Sequence, residues 1–149
     1  MESKELVYFI ADLILQKKGT DIKIINLEGK TSVTDYFIVC SASSTMQVKA
    51  IADNILQETK KAGESAWRDE GYTGLTWILI DYVDVVVHVF MEETRKFYNL
   101  EGLWGDAEIT DVPEDFVYKK TTVKKKVSKK PKTANKPKLT NKAPKKSGK

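Results

Sequence analysis

Asp81 and Asp84 flank the centre of the stretch "WILIDYVDVVVHVF" (residues 77–90), and Asp35 stands just before the run "YFIVC". Carboxylates brought together from such strand ends could hold a metal ion, the requirement for phosphoryl-transfer chemistry. Aspartate is also a turn former, and two of them at a hairpin tip solvate the turn more often than they bind a cation. Cys40 lies inside an apolar run and reads as inert filler. With one cysteine and one histidine, His88, the chain can form neither an internal disulfide nor a zinc-type ligand set. The loop "SASST" at 41–45 could offer helix N-terminal amides to a phosphate. It lacks the glycines and lysine of a P-loop. No nucleophile, base and orienting group fall into a set. The residues therefore argue against an enzyme and assign no catalytic, cofactor or metal site.

The elements that must position these groups are legible from periodicity. Leu6, Ile10, Leu13 and Ile14 recur at helical spacing, with Ser3 as the expected N-cap and "KKG" at 17–19 as the stop. "DIKIINLEGK" reads as a strand running into a turn at 28–30. "YFIVC" has the unbroken apolar character of a central strand covered on both faces. Ser44 and Gln47 have the spacing of a capping box, and Val48, Ile51, Ala52, Ile55, Leu56 and Thr59 follow on one helical face. "ESAWRDEG" suggests a short peripheral strand, and "EETRKFYNLEGLW" a short closing helix with acids in its first turn. The order αββαβββα predicts an α/β fold with a single mixed β-sheet flanked by helices.

Strand residues alternate between faces, so the turn decides which residues of 77–90 sit together. A two-residue loop at Tyr82–Val83 pairs Asp81 with Asp84 and Trp77 with His88. One face is then Ile78, Ile80, Val85, Val87 and Val89, a core face of β-branched residues. The other carries Trp77, Leu79, Asp81, Asp84, Val86, His88 and Phe90. Large aromatics beside a few polar groups are what the centre of a protein–protein interface uses. A histidine packed beside a tryptophan under a helix has the same sequence appearance, and periodicity does not separate the two.

Charge divides the chain. From Tyr118 to the end there are fourteen lysines and no acidic residue, which leaves 11 basic against all 21 acidic residues in 1–117, a net −10. An acidic body of this kind does not seek nucleic acid by itself, because phosphate binding needs Lys and Arg. The domain is expected to span 1–117, with 118–149 a disordered lysine-rich tail too poor in apolar surface to offset its ordering entropy. No stretch approaches the roughly 18 apolar residues of a membrane span, and "MESKELVYFI" is unlike a signal or transit peptide. The expected location is the cytoplasm.

Four segments, "TDYFIVCSASS" at 34–44, "VKAIADNI" at 48–55, "WILIDYVDVVVHVF" at 77–90 and "RKFYNLEGLWGDA" at 95–107, resemble the Iojap family, the ribosomal silencing factors (RsfS), in order and separation. The resemblance covers roughly residues 3–107, with the lysine-rich tail outside it. It implies a nucleotidyltransferase-like fold without that superfamily's catalytic acids and without a cofactor. It implies binding to ribosomal protein fourteen of the large subunit and steric blocking of small-subunit joining, hence repression of translation, with a role in large-subunit assembly in organelle relatives. It is also compatible with a homodimer. Together with the unequal hairpin faces it points to Trp77, Asp81, Tyr82, His88 and Phe90, with Asp35 and Tyr36, as the partner-binding residues. The tail would reach ribosomal RNA. The family usually has glycine where this chain has Val83, so a different turn or a negative φ is expected there. The alternative is a nucleotidyltransferase-like nucleotide-binding enzyme, with Asp35, Asp81 and Asp84 as its candidate carboxylates.

Overall fold

The computed structural model describes residues 1–119. The expectation of a disordered tail falls, beyond Lys119, outside the described residues. Met1–Tyr118 form one compact unit. Its elements are α1 (Ser3–Gln16), β1 (Thr20–Asn26), β2 (Tyr36–Ala42), α2 (Thr45–Lys61), β3 (Arg68–Glu70), β4 (Trp77–Asp81), β5 (Val85–Met91), α3 (Glu92–Tyr98), α4 (Leu100–Leu103) and β6 (Glu108–Asp111). The strands form one six-stranded mixed sheet in the order β3-β4-β5-β2-β1-β6. β2 and β5 run parallel, from Tyr36 beside Val85 to Ala42 beside Met91, and the other pairings are antiparallel.

One face of the sheet, carrying Ile24, Ile38, Cys40, Ile78, Ile80, Val85, Val87 and Val89, is buried with the apolar stripes of α1 and α2. Those stripes are Leu6, Ile10, Leu13 and Ile14 on α1 and Val48, Ile51, Ala52 and Ile55 on α2, the residues whose spacing predicts the helices. The opposite face carries Ile25, Val39 and Phe90, with Phe37, Trp77, Leu100, Trp104 and Ile109 half-buried around them.

Gln47 closes two helices at once. Its backbone N–H donates to the Ser44 hydroxyl at 3.0 Å, the expected N-cap bond. Its carboxamide oxygen accepts from the Ser43 N–H, and its NH2 donates to the carbonyls of Lys17 and Lys18 at the end of α1. Those carbonyls lie where a helix leaves its last acceptors orphaned. Ser3, by contrast, is the first residue of α1 rather than its cap, and its hydroxyl donates to Asp35.

Three further sequence expectations change. The closing helix is broken by Asn99, whose left-handed backbone (φ 50) ends α3 while its side chain caps α4. β6, absent from the expected order, pairs along β1 at the sheet edge and is tied by Lys23 to Asp111 at 2.5 Å. The hairpin register also differs. The two loop residues are Val83 and Asp84 rather than Tyr82 and Val83, so Trp77 faces Phe90 and Leu79 faces His88. This slip moves every cross-strand pair by two residues. Because the side-chain period is also two, both faces keep the membership read from the sequence.

The turn itself resolves the question of Val83. The Tyr82 N–H donates to the Val85 carbonyl at 2.8 Å, and the Asp84 N–H to the Tyr82 carbonyl at 3.0 Å. The second bond closes a γ-turn around Val83 at φ 76, the strained, positive-φ form of that turn. A left-handed backbone costs an L-residue about 1–2 kcal/mol. Glycine avoids that cost but loses about 0.5–1 kcal/mol more chain entropy on folding. Val83→Gly should therefore raise stability by roughly 0.5–1 kcal/mol, read as a higher urea midpoint at unchanged slope. An unchanged or lower midpoint would show that the turn stores no strain.

Candidate docking surface

Trp77 opens β4 on the face away from α1 and α2. Its indole stacks on Phe90 at 4.8 Å and tilts against Tyr98 at 4.7 Å. Its Nε1–H donates to His88 Nδ1 at 3.1 Å. In the observed register Trp77 and His88 are diagonal rather than directly opposite, a separation long side chains still bridge. His88 is buried, edge-on to Phe37 at 4.6 Å, and Phe90 is fully buried. Trp77 is the half-exposed member of this trio, and His88 and Phe90 are the floor beneath it.

The other four expected site residues lie elsewhere. Tyr36 is buried in the core shared with α1 and α2. Tyr82 packs against the same core, its hydroxyl 2.7 Å from Thr59 Oγ1, and burial pushes its phenol up to about 12. The carboxylate of Asp81 accepts the Val83 N–H at 2.8 Å and faces the Arg68 guanidinium at 3.4 Å. The N–H groups of Asp35 and Tyr36 both donate to the Asp84 carbonyl. The seven residues thus divide between the two sheet faces and the hairpin end. Tyr36 and Tyr82 belong to the helix-covered side because their positions have the parity of Ile38 and Ile80, which the expected grouping overlooked.

Sequence reasoning also passed over the residues that complete the aromatic surface. Phe97 is 80% exposed and Leu103 71% exposed, with Tyr98 at 50%. Phe97 and Tyr98 meet edge to face, and with Thr76, Trp77, Glu93 and Thr94 they line an open cleft of about 360 Å³. The available signal was the adjacent pair "FY" before the helix-breaking "N" in "RKFYNLEG".

Arg95 fixes where that pair sits. It is buried, donates to the Asp21 carbonyl and the Ser41 hydroxyl, and pairs with Glu101 at 2.7 Å. One guanidinium thus ties α3 to β1, β2 and α4. The network lies at the carboxyl ends of the parallel strands β2 and β5, where open α/β sheets bind ligands. A polar cavity of about 320 Å³ there is lined by Asp21, Glu92 and Glu101 as well as Arg95 and Lys96, so its carboxylates oppose a phosphate. Among the described residues no group of three or more His, Cys, Asp or Glu side chains could hold a metal ion, and no helix is long and apolar enough to cross a membrane.

The family model described as ribosomal silencing factor during starvation matches residues 1–144. The chain belongs to the ribosomal silencing factor (RsfS) family. The matched span runs past the body into the lysine-rich residues, further than the resemblance read from the sequence. The ribosomal silencing factor RsfS of Bacillus subtilis is 39% identical over 112 residues, 75% of this chain and 95% of the relative. A mouse relative, named mitochondrial assembly of ribosomal large subunit protein 1, is 28% identical over 120 residues, 72% of this chain and 53% of that protein. Among solved structures, a Chromobacterium violaceum protein superposes with a TM-score of 0.69 at 32% identity, covering 80% of this chain and 98% of the other. The family is a regulatory one that acts on ribosomes, as its names state.

Burial lowers the His88 pKa from the ordinary 6.5 to about 3. Burial thus favours the neutral ring in the physiological range and opposes a protonation switch at His88 near neutrality. The unfolded chain binds the extra proton between these two values. His88 thus contributes stability that is fully present above about 6.5 and is lost as pH falls toward about 3. Acidification from about pH 6.5 to 5, above the main carboxylate range, should lower the urea midpoint of the wild type more than that of His88→Phe. Equal losses in the two proteins would contradict the assignment.

Proposed function

We propose that the protein docks on the large ribosomal subunit, through ribosomal protein fourteen, and by its bulk keeps the small subunit from joining. Translation is thereby repressed in the cytoplasm without catalysis, and assistance to large-subunit assembly is a second use of the same contact. The observation that carries this reading is the aromatic surface of Trp77, Phe97 and Tyr98. Three aromatic rings at a cleft, Trp77 and Phe97 each packed on Tyr98 and two of the three substantially exposed, are unusual for a surface that meets only water. They match the aromatic enrichment of interface centres. The acidic body suits a basic partner and steers encounter with it. The interface is assigned to Trp77, Phe97, Tyr98 and Leu103, with His88 and Phe90 as support. Membership of the family supports the ribosomal target.

Phe97→Ala, at an 80% exposed position, should leave folding intact and weaken binding to isolated large subunits in co-sedimentation. Trp77→Ala should cost at least about 2 kcal/mol, the scale of an interface hot spot. Wild-type affinity in both variants, with folding confirmed by circular dichroism, would refute the docking face. Sedimentation of the free protein tells whether the same patch also closes on a second copy.

The fourteen lysines beyond Tyr118 supply a second, sequence-independent contact, with ribosomal RNA. Each phosphate they neutralise releases a condensed counterion, a gain that ion pairs with the body's own carboxylates do not match. Deleting residues 119–149 should weaken large-subunit binding at low salt and flatten the slope of log affinity against log salt. An unchanged slope would show that these lysines do not touch RNA.

A further inference from the structure

Trp77 has a degree of freedom that its stacking does not remove. An indole resting on another ring can turn over about χ2 and keep the same plane, because that torsion is broad and roughly two-fold. The two orientations present different edges to a partner. In one of them Nε1–H meets His88 Nδ1 at 3.1 Å, and this is the one observed. In the other, the indole N–H and a nearly fully buried imidazole nitrogen both lose their partner. We propose that His88 is a positioning residue, whose Nδ1 selects the one orientation of Trp77 that the docking partner meets. This rests on the docking role of Trp77 proposed above.

The surroundings of His88 suit that task. Its ring is held by Phe37 edge-on at 4.6 Å and lies nearly parallel to Phe90 at 6.0 Å, so the acceptor cannot swing to follow the indole. Since Nδ1 accepts, the proton of the neutral ring is on Nε2. No charged side chain is among its ring partners, which are Phe37, Trp77 and Phe90. A phenylalanine would fill the same space but offer no acceptor. An asparagine would place its carbonyl oxygen near the position of Nδ1 without the ring. These two substitutions separate shape from hydrogen bonding.

The test uses the full-length protein labelled with 15N. In the wild type, a scalar coupling between Trp77 Nε1 and His88 Nδ1 across the hydrogen bond is expected, with slow exchange of the indole proton. H88F should quicken that exchange at least about tenfold and weaken large-subunit binding about tenfold, the loss of one hydrogen bond to a part-buried group. H88N should restore slow exchange and most of the affinity, which a purely packing role would not allow. Absence of the coupling in the wild type overturns the proposal, and so does loss of affinity in H88N while its indole exchange stays slow. A folded H88F with fast indole exchange and wild-type affinity overturns it as well. If Trp77→Ala also binds like the wild type, the docking reading fails with it. If Trp77→Ala loses binding, only the positioning role is lost. Should H88F not fold, the wild-type coupling and H88N decide the matter.

Discussion

β2 and β5, seven residues each, lie parallel at the middle of the sheet and must be buried on both faces. Parallel neighbours cannot be joined by a tight turn, so the chain between them has to cross over through α2 before returning along β3 and β4. α2 brings its stripe of Val48, Ile51 and Ile55 over one face, and α1 joins it. Among the described residues the other face receives no long helix. It is covered by the short α4 and the residues before β6, with Leu100, Trp104 and Ala107, and at its margin by Tyr98 of α3. Burying a side chain of the size of Val or Phe is worth about 1.5–3 kcal/mol, so the fold buries the middle of this face and leaves its margin open. Trp77, Phe97 and Tyr98 occupy that margin.

The connection between core and surface runs through a few polar side chains. Arg95 converts the end of α3 into a fixed extension of the sheet, through bonds to Asp21 and Ser41 and its pair with Glu101. The helix carries Phe97 and Tyr98 only two and three residues further on. His88 does the equivalent beneath Trp77. Truncating one member of a buried charge pair is costly because the other stays desolvated. Arg95 therefore holds the end of α3, and with it Phe97 and Tyr98, against the sheet from inside the fold.

What could be read from the chain followed the physics that is local. Periods of 3.6 and 2 are set by backbone geometry, and they gave α1, α2, the sheet class and the two faces of the hairpin. The two-residue error in the turn was harmless to face membership for the same reason. β6 escaped because Glu108–Asp111 is short, acidic and mostly exposed, and only its pairing with β1 makes it a strand. The positive φ of Val83 contradicts the residue's own preference, and the surrounding pairs of the hairpin enforce it. The candidate site was legible only in part. Trp77 and its neighbours His88 and Phe90 share a strand parity, whereas the approach of Tyr98 to Trp77 depends on tertiary contacts that no spacing encodes. Tyr36 and Tyr82, grouped with the partner-binding residues through the family resemblance, lie on the helix-covered side, Tyr36 within the core and Tyr82 half-buried against it.

On the proposed reading the open aromatic margin, and not the helix-covered side, meets the ribosome. Hydrogen–deuterium exchange of the full-length protein, free and bound to isolated large subunits, tests it most directly. Backbone amides in 76–79 and 93–104 should gain protection on binding, while those of α1 and α2 stay unchanged. Protection confined to α1 and α2, with no change at 76–79 or 93–104, would contradict the account.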